Sequence, residues 1–258
     1  MANREHNFFY APTWDYPPNG PIKLGNVIPS VKKPHRPLSC VSPEDSALLK
    51  TEKKTVQYTK EKLRSGRFSI LTKFLSIFGF GVDVGAEIDN NDEEMFTFDT
   101  VETTEFVPTA DYVESAVESA NVRRFLQTSR YRKPVYIITG VKIVTGAKAN
   151  TTKSRGPGIE GKVGKKVGTS WEGSSDFVFA YRVSKVFVSE DADKSPTEEE
   201  YRKGAMLGDE RKEVKLPGLA VLKIEEPAAE AEGFDAEKLL EDDAVVFCAI
   251  PREEESDE

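Results

Sequence analysis

The sequence has few of the residues on which most catalytic, metal and redox sites are built. It contains two cysteines, Cys40 and Cys248, and two histidines, His6 and His35, among 258 residues. The cysteines lie too far apart for a CxxC motif, and neither histidine neighbours a cysteine, a serine elbow or a paired carboxylate. We therefore expect no structural zinc site, no cofactor and no enzymatic activity.

Long apolar runs are also missing. No stretch approaches the ~20 uncharged apolar residues with which a helix crosses a bilayer, and residues 1–20 lack the apolar segment of a signal peptide. Residues 156–162 have the GxxxxGK spacing of a phosphate-binding loop, but Val163 stands where Ser or Thr would hold magnesium. We expect neither a helical membrane protein, nor a secreted protein, nor a nucleotide site, and both cysteines are expected to be reduced.

What is present indicates a folded protein with divided charge. The 15 Phe, 8 Tyr and 2 Trp residues are enough to close a core. Residues 1–189 carry 27 Lys and Arg against 21 Asp and Glu, a net charge of +6, whereas residues 190–258 carry 9 against 23, a net charge of −14. The acidic residues 190–258 either simply keep the protein soluble or weaken the attraction of the basic residues 1–189 to anionic surfaces.

Alternating apolar and polar residues predict two hairpin-like units. The first runs from the apolar stretch Phe68–Val84 through a turn at Asn90–Asp92 into Met95–Val107. The second joins Pro134–Lys148 to Phe177–Val188 through a Gly- and Lys-rich segment. In Pro134–Lys148 the pattern predicts one face made of Val135, Ile137, Val141 and Ile143. In Phe177–Val188 it predicts one face made of Phe177, Phe179, Tyr181, Val183 and Phe187. The period of two is typical first of an ordinary half-buried antiparallel sheet, the far commoner structure, and it is also the pattern that a membrane-crossing strand requires.

Other segments give weaker signals. Asp111–Gln127 is predicted as one amphipathic helix with Val113, Ala116, Val117 and Ala120 on one stripe. Periodicity does not settle whether Asp45–Arg67 is helix or strand. Leu219–Ile224 is predicted as a strand and Asp235–Glu241 as a short acidic helix, while Asp191–Val214 reads as a charged loop and Arg252–Glu258 as an acidic tail.

The order of the segments resembles a known family. Pro134–Ile143 reads PVYIITGVKI and Phe179–Val183 reads FAYRV, and together they resemble the second insertion hairpin of the gasdermin pore-forming domain. Lys54–Pro108 resembles the first insertion hairpin. Trp14–Leu38 is similar to the start of fungal gasdermin-like proteins of the regulator-of-cell-death type. The resemblance extends over roughly residues 8–189 of the chain.

This resemblance implies an α+β fold like that of the gasdermin N-terminal domain. The fold is a twisted antiparallel sheet with surrounding helices, in which two hairpin regions, about 54–108 and 134–189, are able to become transmembrane strands of a large oligomeric barrel. The pore-forming domain is expected to span residues 1–226 and a short acidic extension residues 227–258. About 70 residues after position 189 are too few for a separate inhibitory domain, so cleavage between two domains is not the expected switch.

The function that the resemblance implies is that of a pore-forming cell-death effector. It would rest in the cytoplasm, oligomerise on anionic membranes and permeabilise the plasma membrane after meeting a divergent allelic variant, as in fungal self and non-self discrimination. The expected partners are acidic phospholipids, further copies of the chain and the allelic variant, and no nucleic acid. The alternative is a soluble sheet protein that binds anionic lipid or a protein partner without insertion.

Three sets of residues are predicted to meet the membrane. The expected ligands of lipid headgroups are basic: Lys32, Lys33, Arg36, Arg130, Arg132, Lys133, Lys153, Arg155, Lys162, Lys165 and Lys166. The expected membrane-inserting residues are apolar: Phe74, Leu75, Phe78, Phe80, Val82, Val84, Phe96, Phe98, Val135, Ile137, Val141, Ile143, Phe177, Phe179 and Tyr181. Aromatic residues expected either at the membrane interface or in a core or subunit contact are Phe8, Phe9, Tyr10 and Trp14.

Overall fold

The computed structural model describes residues 6–59, 93–153, 167–171, 175–191, 218–241 and 244–252. Several predictions fall outside these residues. They are the apolar stretch Phe68–Val84 with its turn at Asn90–Asp92, the GxxxxGK spacing at residues 156–162, nearly all of the charged loop Asp191–Val214, and the acidic tail beyond Arg252.

Twelve strands form one sheet in this part of the chain. The strands are β1 (His6–Tyr10), β2 (Asn26–Ile28), β3 (Ser39–Cys40), β4 (Leu49–Thr59), β5 (Glu93–Glu105), β6 (Val135–Thr145), β7 (Lys148–Lys153), β8 (Val167–Trp171), β9 (Phe177–Asp191), β10 (Gly218–Glu225), β11 (Phe234–Glu241) and β12 (Ala244–Pro251). Two α-helices accompany them, α1 (Ala110–Val117) and α2 (Ala120–Thr128), with short 3-10 turns at Asp45–Ala47 and Glu230–Glu232. The predicted sheet with accompanying helices is confirmed in this outline.

The central path of the sheet runs in the order β11, β12, β1, β9, β6, β5, β7, β8. Outside this path, β4 pairs with β5, β10 with β9, and β2 with both β3 and β6. All these pairings are antiparallel except that of β1 with β12, which is parallel. The long strands β5, β6 and β9 therefore lie side by side in the middle of the sheet.

Two apolar cores cover the two faces of these central strands. One, here called the helix core, contains Val113, Val117 and Leu126 of the helices with Val135 and Ile137 of β6. The other, here called the terminal-strand core, joins β6 and β9 to the first and last strands; its members include Phe9, Ile138, Tyr181, Phe234 and Ala249. Residues from both ends of the described chain thus close the same core.

The helical segment consists of two helices rather than the single one predicted. Thr109 caps α1 by accepting a hydrogen bond from the Tyr112 amide at 3.3 Å, and α1 ends at Val117. Val113, Ala116 and Val117 are buried as predicted, but Ala120 is exposed. The reason is that α2 starts afresh at Ala120, so the stripe of the first helix does not continue through it.

Tyr112 ties α1 to the segment that follows β3. Its hydroxyl donates a hydrogen bond to the carbonyl oxygen of Val41. Burial, and to a lesser degree the nearby Cys40, raises the pKa of Tyr112 to about 12, so the hydroxyl keeps its proton at neutral pH.

The segment Asp235–Glu241 is a strand, and its prediction as a helix is wrong. Its sequence favours a helix locally, but β11 pairs antiparallel with β12 along its whole length, from Phe234 opposite Pro251 to Glu241 opposite Ala244. The apolar strand β12 offers this partner, and such tertiary pairing overrides weak local propensity.

A β-bulge in β6 changes which of its residues share a face of the sheet. Thr139 is an extra residue with no partner in β9. Val135 and Ile137 therefore pack in the helix core, whereas Val141 and Ile143 pack against the terminal-strand core on the opposite face. The prediction that these four share one face is wrong, because one extra residue inverts the alternation beyond it.

A second bulge, in β9, has the same effect at Phe179. Val178, Tyr181 and Val183 pack together in the terminal-strand core, although an uninterrupted strand would put Val178 on the opposite face from the other two. Phe179 and its neighbour Phe177 contact rings outside that core. The predicted single face in β9 is therefore also wrong.

Candidate functional site: two adjacent hairpins

The two regions predicted as hairpins form a continuous block of strands. In the first region β4 pairs antiparallel with β5, from Leu49 opposite Glu105 to Thr59 opposite Met95. The prediction that β5 forms its hairpin with the apolar stretch ending at Val84 is therefore wrong, because β4 pairs along one edge of β5 and β6 and β7 pair along the other. In the second, β6 pairs with β9, and β7 with β8. The edge of β5 opposite β4 pairs with β6 and then with β7, which joins the two regions into one sheet.

The junction of β6 and β7 keeps both strands along β5. Gly146 adopts a φ of +58°, and a Cβ there would lie 2.1 Å from a carboxylate oxygen of Asp99. Lys148, the first residue of β7, places its Nζ 3.1 Å from the same carboxylate. Only glycine fits this turn without strain, so the sequence at Gly146 sets the direction in which the second hairpin continues.

The block has two outer strands. Within the described residues, β4 pairs with β5 alone and β8 with β7 alone. The side chain of Leu49, at the start of β4, is 57% exposed. Thr55, in the middle of β4, has a φ of +54°, which a β-branched residue rarely adopts and which distorts the edge locally. Such edges offer unpaired backbone groups to a further strand.

An ionic network joins the two hairpins to the segment after β10. Arg182 of β9 places Nη1 3.2 Å from a Glu105 oxygen of β5 and Nε 3.0 Å from a Glu226 oxygen. Glu226 also accepts a hydrogen bond from the amide of Asn7 at 3.2 Å. Gly140 of β6 lies beneath the side chain of Arg182, and a Cβ on Gly140 would be 3.1 Å from the Cβ of Arg182. The missing side chain leaves room for the arginine to reach across β6.

Replacing Arg182 by leucine is expected to lower the free energy of unfolding by about 2–4 kcal/mol, because two partly buried carboxylates lose their partner. The side chain of Arg182 is 16% exposed, so solvent screens these ion pairs only in part. Urea denaturation followed by circular dichroism measures the change. Arg124→Leu, at an exposed position on α2, is the matched control and should change stability by no more than about 0.5 kcal/mol.

Two further lysines of the strands lie against acidic or aromatic groups. Lys185 of β9 places Nζ 2.7 Å from a Glu232 oxygen, and the Tyr136 hydroxyl donates to the other oxygen of Glu232 at 2.6 Å. Lys142 of β6 is buried, with its Nζ 4.6 Å from the ring centre of Phe8. The basic side chains of β6 and β9 thus contact acidic or aromatic groups of the protein itself in this conformation.

The predicted membrane-inserting residues that the structure describes are mostly in the core. Val135, Ile137, Phe98, Phe177 and Tyr181 are at most 1% exposed, Phe179 and Val141 are 5% and 6% exposed, and Ile143 is partly buried. Phe96 lies in β5, opposite Tyr58 and Ala149. The remaining members of the set, Phe74, Leu75, Phe78, Phe80, Val82 and Val84, lie outside the described residues. Contact with lipid would therefore require these strands to leave their present packing.

The predicted headgroup ligands fall into two described groups. Lys33 and Arg36 are exposed and Lys32 is half-buried, in the loop after β2. Arg130, Arg132 and Lys133 are exposed at the end of α2. Lys153 ends β7, and Arg155, Lys162, Lys165 and Lys166 lie outside the described residues.

Helix α2 connects the two described groups. Asn121 at its start donates a hydrogen bond to the carbonyl oxygen of Leu38 at 3.0 Å, close after the first group. The second group follows its end, about 13 Å further along the axis at 1.5 Å per residue. Arg124 is exposed between them and was missed by the sequence analysis, although its place on the polar side of the helical pattern could have revealed it.

The N-terminal aromatic residues belong to the interior in this conformation. Phe8, Phe9 and Tyr10 are at most 3% exposed, and Trp14 is half-buried with its ring stacked on Phe177 at 4.8 Å between ring centres. Of the two roles expected for these residues, the core contact is the one present here.

No helix among the described residues is long and apolar enough to cross a membrane. Within the same residues, no three side chains of His, Cys, Asp or Glu come together as a metal-binding cluster.

Comparisons with known proteins converge on one group. A family model described as the Bacterial Gasdermin Family matches residues 9–204 of this chain. A curated gasdermin-like protein of Neurospora crassa, rcd-1-2, is 25% identical over 165 residues, which are 58% of this chain and 67% of that protein. The range matched by the family model includes every strand from β2 to β9 and therefore both hairpins.

Proposed function

The chain belongs to the gasdermin family, and from this premise we propose that it is a pore-forming cell-death effector that oligomerises on anionic membranes and inserts its two hairpins. The resemblance to fungal gasdermin-like proteins is confirmed by the comparisons, and the family is one of pore formers rather than enzymes. The observation that carries the proposal is the block of adjacent hairpins with an outer strand on each side.

The strands of the block are long enough to cross a bilayer. A tilted strand crosses a bilayer with ~9–11 residues. β4 and β6 have 11 residues each, β5 has 13 and β9 has 15. Each copy would therefore contribute four crossing strands, β4, β5, β6 with β7, and β9 with β8, once its present core contacts are released.

Oligomerisation supplies the missing hydrogen bonds. A lone hairpin cannot enter hydrocarbon, because the backbone groups along its outer edges would be unsatisfied at a cost of several kcal/mol each. The outer strands β4 and β8 lie on opposite sides of the block, so β4 of one copy is able to pair with β8 of the next. Such head-to-tail pairing closes into a ring, the barrel of a large pore.

Basic residues would bring the protein to the membrane. A lysine or arginine near an anionic surface gains roughly 1 kcal/mol, and the attraction falls off within a Debye length. The exposed groups at both ends of α2 are suited to this role. We propose that the protein stays in the cytoplasm until it meets a divergent allelic variant, and that it then assembles with that variant at the plasma membrane.

Dye release from lipid vesicles tests the proposal. Purified protein, with and without a divergent allelic copy, is added to vesicles of neutral phosphatidylcholine or of phosphatidylcholine with ~30% phosphatidylserine, whose headgroups give the surface a negative potential. We expect release from the anionic vesicles only, together with rings or arcs in electron micrographs. Release that is equal from both vesicle types would contradict the headgroup contribution.

The alternative function predicts a different result in the same assay. A protein that binds anionic lipid without insertion would pellet with the anionic vesicles, coat them in micrographs and release no dye. That outcome, with the allelic copy present, would rule out pore formation. The exposed outer strand β4, with Leu49 57% exposed, favours the inserting protein because an edge of this kind needs a partner.

A further inference from the structure

The chain before β2 lies along the strand that is proposed to insert. Phe9 is the register partner of Tyr181, and Tyr10 that of Ala180. Beyond β1 the contact continues, because the Ala11 amide donates to the Phe179 carbonyl at 3.0 Å and the Val178 amide donates to the Tyr16 carbonyl at 2.8 Å. Residues 9–16, here called the N-terminal strap, therefore run antiparallel along residues 178–181 of β9.

Each aromatic residue at the start of β9 is covered by a ring of the strap. Phe9 lies 5.9 Å from Tyr181, Tyr10 lies 5.1 Å from Phe179 in an edge-to-face contact, and Trp14 stacks on Phe177 at 4.8 Å, all between ring centres. The strap thus shields side chains on both faces of β9, since Tyr181 packs in the terminal-strand core whereas Phe179 contacts the rings of Tyr10 and Phe98 outside that core. These three covered residues belong to the set predicted to contact lipid.

The strap also occupies the backbone edge of β9. One edge of β9 pairs with β6, and the other pairs with β1 and, further along, with β10. The first part of β9 therefore has no edge free for a neighbouring copy while the strap is in place. By contrast, β8, which precedes β9 in the same hairpin, pairs within the described residues with β7 alone.

We infer that the N-terminal strap is a conformational latch, which holds β9 in the resting protein and must leave it before a second copy pairs along that edge and the second hairpin inserts. The inference rests on the proposed function, since it specifies how insertion is restrained. Release of the strap removes three ring contacts and four backbone partners from β9 at once, and the strand of the neighbouring copy then supplies new backbone partners.

A reversible disulfide between the strap and β9 tests the latch. Tyr10 and Ala180 are direct partners, and the hydrogen bond of the next pair shows that theirs is the non-hydrogen-bonded kind, whose Cα atoms lie ~4.5 Å apart, within the range of disulfides. The double variant Tyr10→Cys with Ala180→Cys is made with Cys40→Ser, because Cys40 is exposed and would form unwanted bridges. Copper phenanthroline oxidises the two thiols to the disulfide, and dithiothreitol reduces it.

We expect the oxidised variant to bind vesicles with ~30% phosphatidylserine but to release dye at least about tenfold more slowly than the same protein after reduction. The single variant Tyr10→Cys in the same background is the control and should respond to neither reagent. Equal release by the oxidised and reduced forms would show that the strap stays on β9 in the pore, and it would overturn the latch while leaving the proposed function intact. If the unaltered protein releases no dye under any condition, the proposed function fails and the latch fails with it.

A pair of truncations separates release of the strap from loss of stability. Tyr10→Ala removes an edge-to-face contact of 5.1 Å from the strap, and Phe106→Ala removes a contact of the same 5.1 Å, to Tyr112, from the helix core. Both residues are buried, at 2% and 3% exposure. We expect faster spontaneous release only for Tyr10→Ala. Equal acceleration by both variants would mean that general destabilisation, and not the strap, limits insertion.

Discussion

Replacing Arg132 and Lys133 together by glutamate is expected to weaken binding to anionic vesicles by about a thousandfold. Both side chains are exposed in the segment between α2, which ends at Thr128, and β6. The double reversal changes the charge by four units, each worth roughly 1 kcal/mol near an anionic surface, and ~4 kcal/mol corresponds to about three orders of magnitude in affinity. Co-sedimentation of the protein with vesicles of graded phosphatidylserine content measures the effect.

A control variant with the same charge change shows whether position matters. Lys223 and Arg252 are 63% and 54% exposed at their side chains and lie on β10 and just after β12, outside the predicted headgroup set. Lys223→Glu with Arg252→Glu should weaken binding far less, because charges more than ~8 Å from the lipid are screened at physiological salt. Equal losses for the two variants would show that overall charge attracts the protein, without a defined lipid-facing surface.

The strands of this protein were predictable where the pattern is local. β5, β6, β9 and β10 lie within a few residues of the segments in which apolar and polar residues alternate, and the antiparallel pairing of β6 with β9 follows from their order. The partner of β5 was not predicted, because it is β4, in a segment whose periodicity does not distinguish helix from strand. The faces of these strands were not predictable. Thr139 and Phe179 look like ordinary members of the pattern, and only the register against the partner strand reveals them as extra residues.

The conformation of β11 was not predictable from its local sequence either. Asp235–Glu241 has helix-forming residues and an acidic character, and its strand conformation depends on β12, which in turn depends on β1 at the other end of the sequence. A parallel strand pair between the first and last strands leaves no local signal. Contacts of such long sequence separation are a property of the assembled sheet.

The partners of Arg182 in the ionic network were also not predictable from the sequence. Arg182 is visible in the segment FAYRV, but its partners Glu105 and Glu226 are 77 and 44 residues away. With 44 acidic residues in the chain, nothing in the spacing selects these two. Gly140 gives the only local hint, since a glycine inside an apolar strand often marks a close approach by another part of the chain.

Val141→Asp is expected to lower the free energy of unfolding by about 4 kcal/mol or more, with a fall in Tm of roughly 8–16 °C for a chain of this size. The Val141 side chain is 6% exposed and packs in the terminal-strand core, opposite Tyr181 in the register. A carboxylate there loses its hydration without gaining a partner. Thermal melts followed by circular dichroism measure the change, and a Tm within ~3 °C of the unaltered protein would contradict this packing.

Two companion variants isolate the cause and bear on insertion. Val141→Ala removes volume without charge and should cost about 2 kcal/mol, whereas Thr51→Asp, at an exposed position of β4, should be nearly neutral. Val141 is buried among side chains in the resting protein, and under the proposed function it is buried in hydrocarbon after the hairpin inserts. Aspartate at this position is unfavourable in both states. Loss of dye release by Val141→Asp is therefore evidence about the pore only when the melt shows that the resting fold has survived.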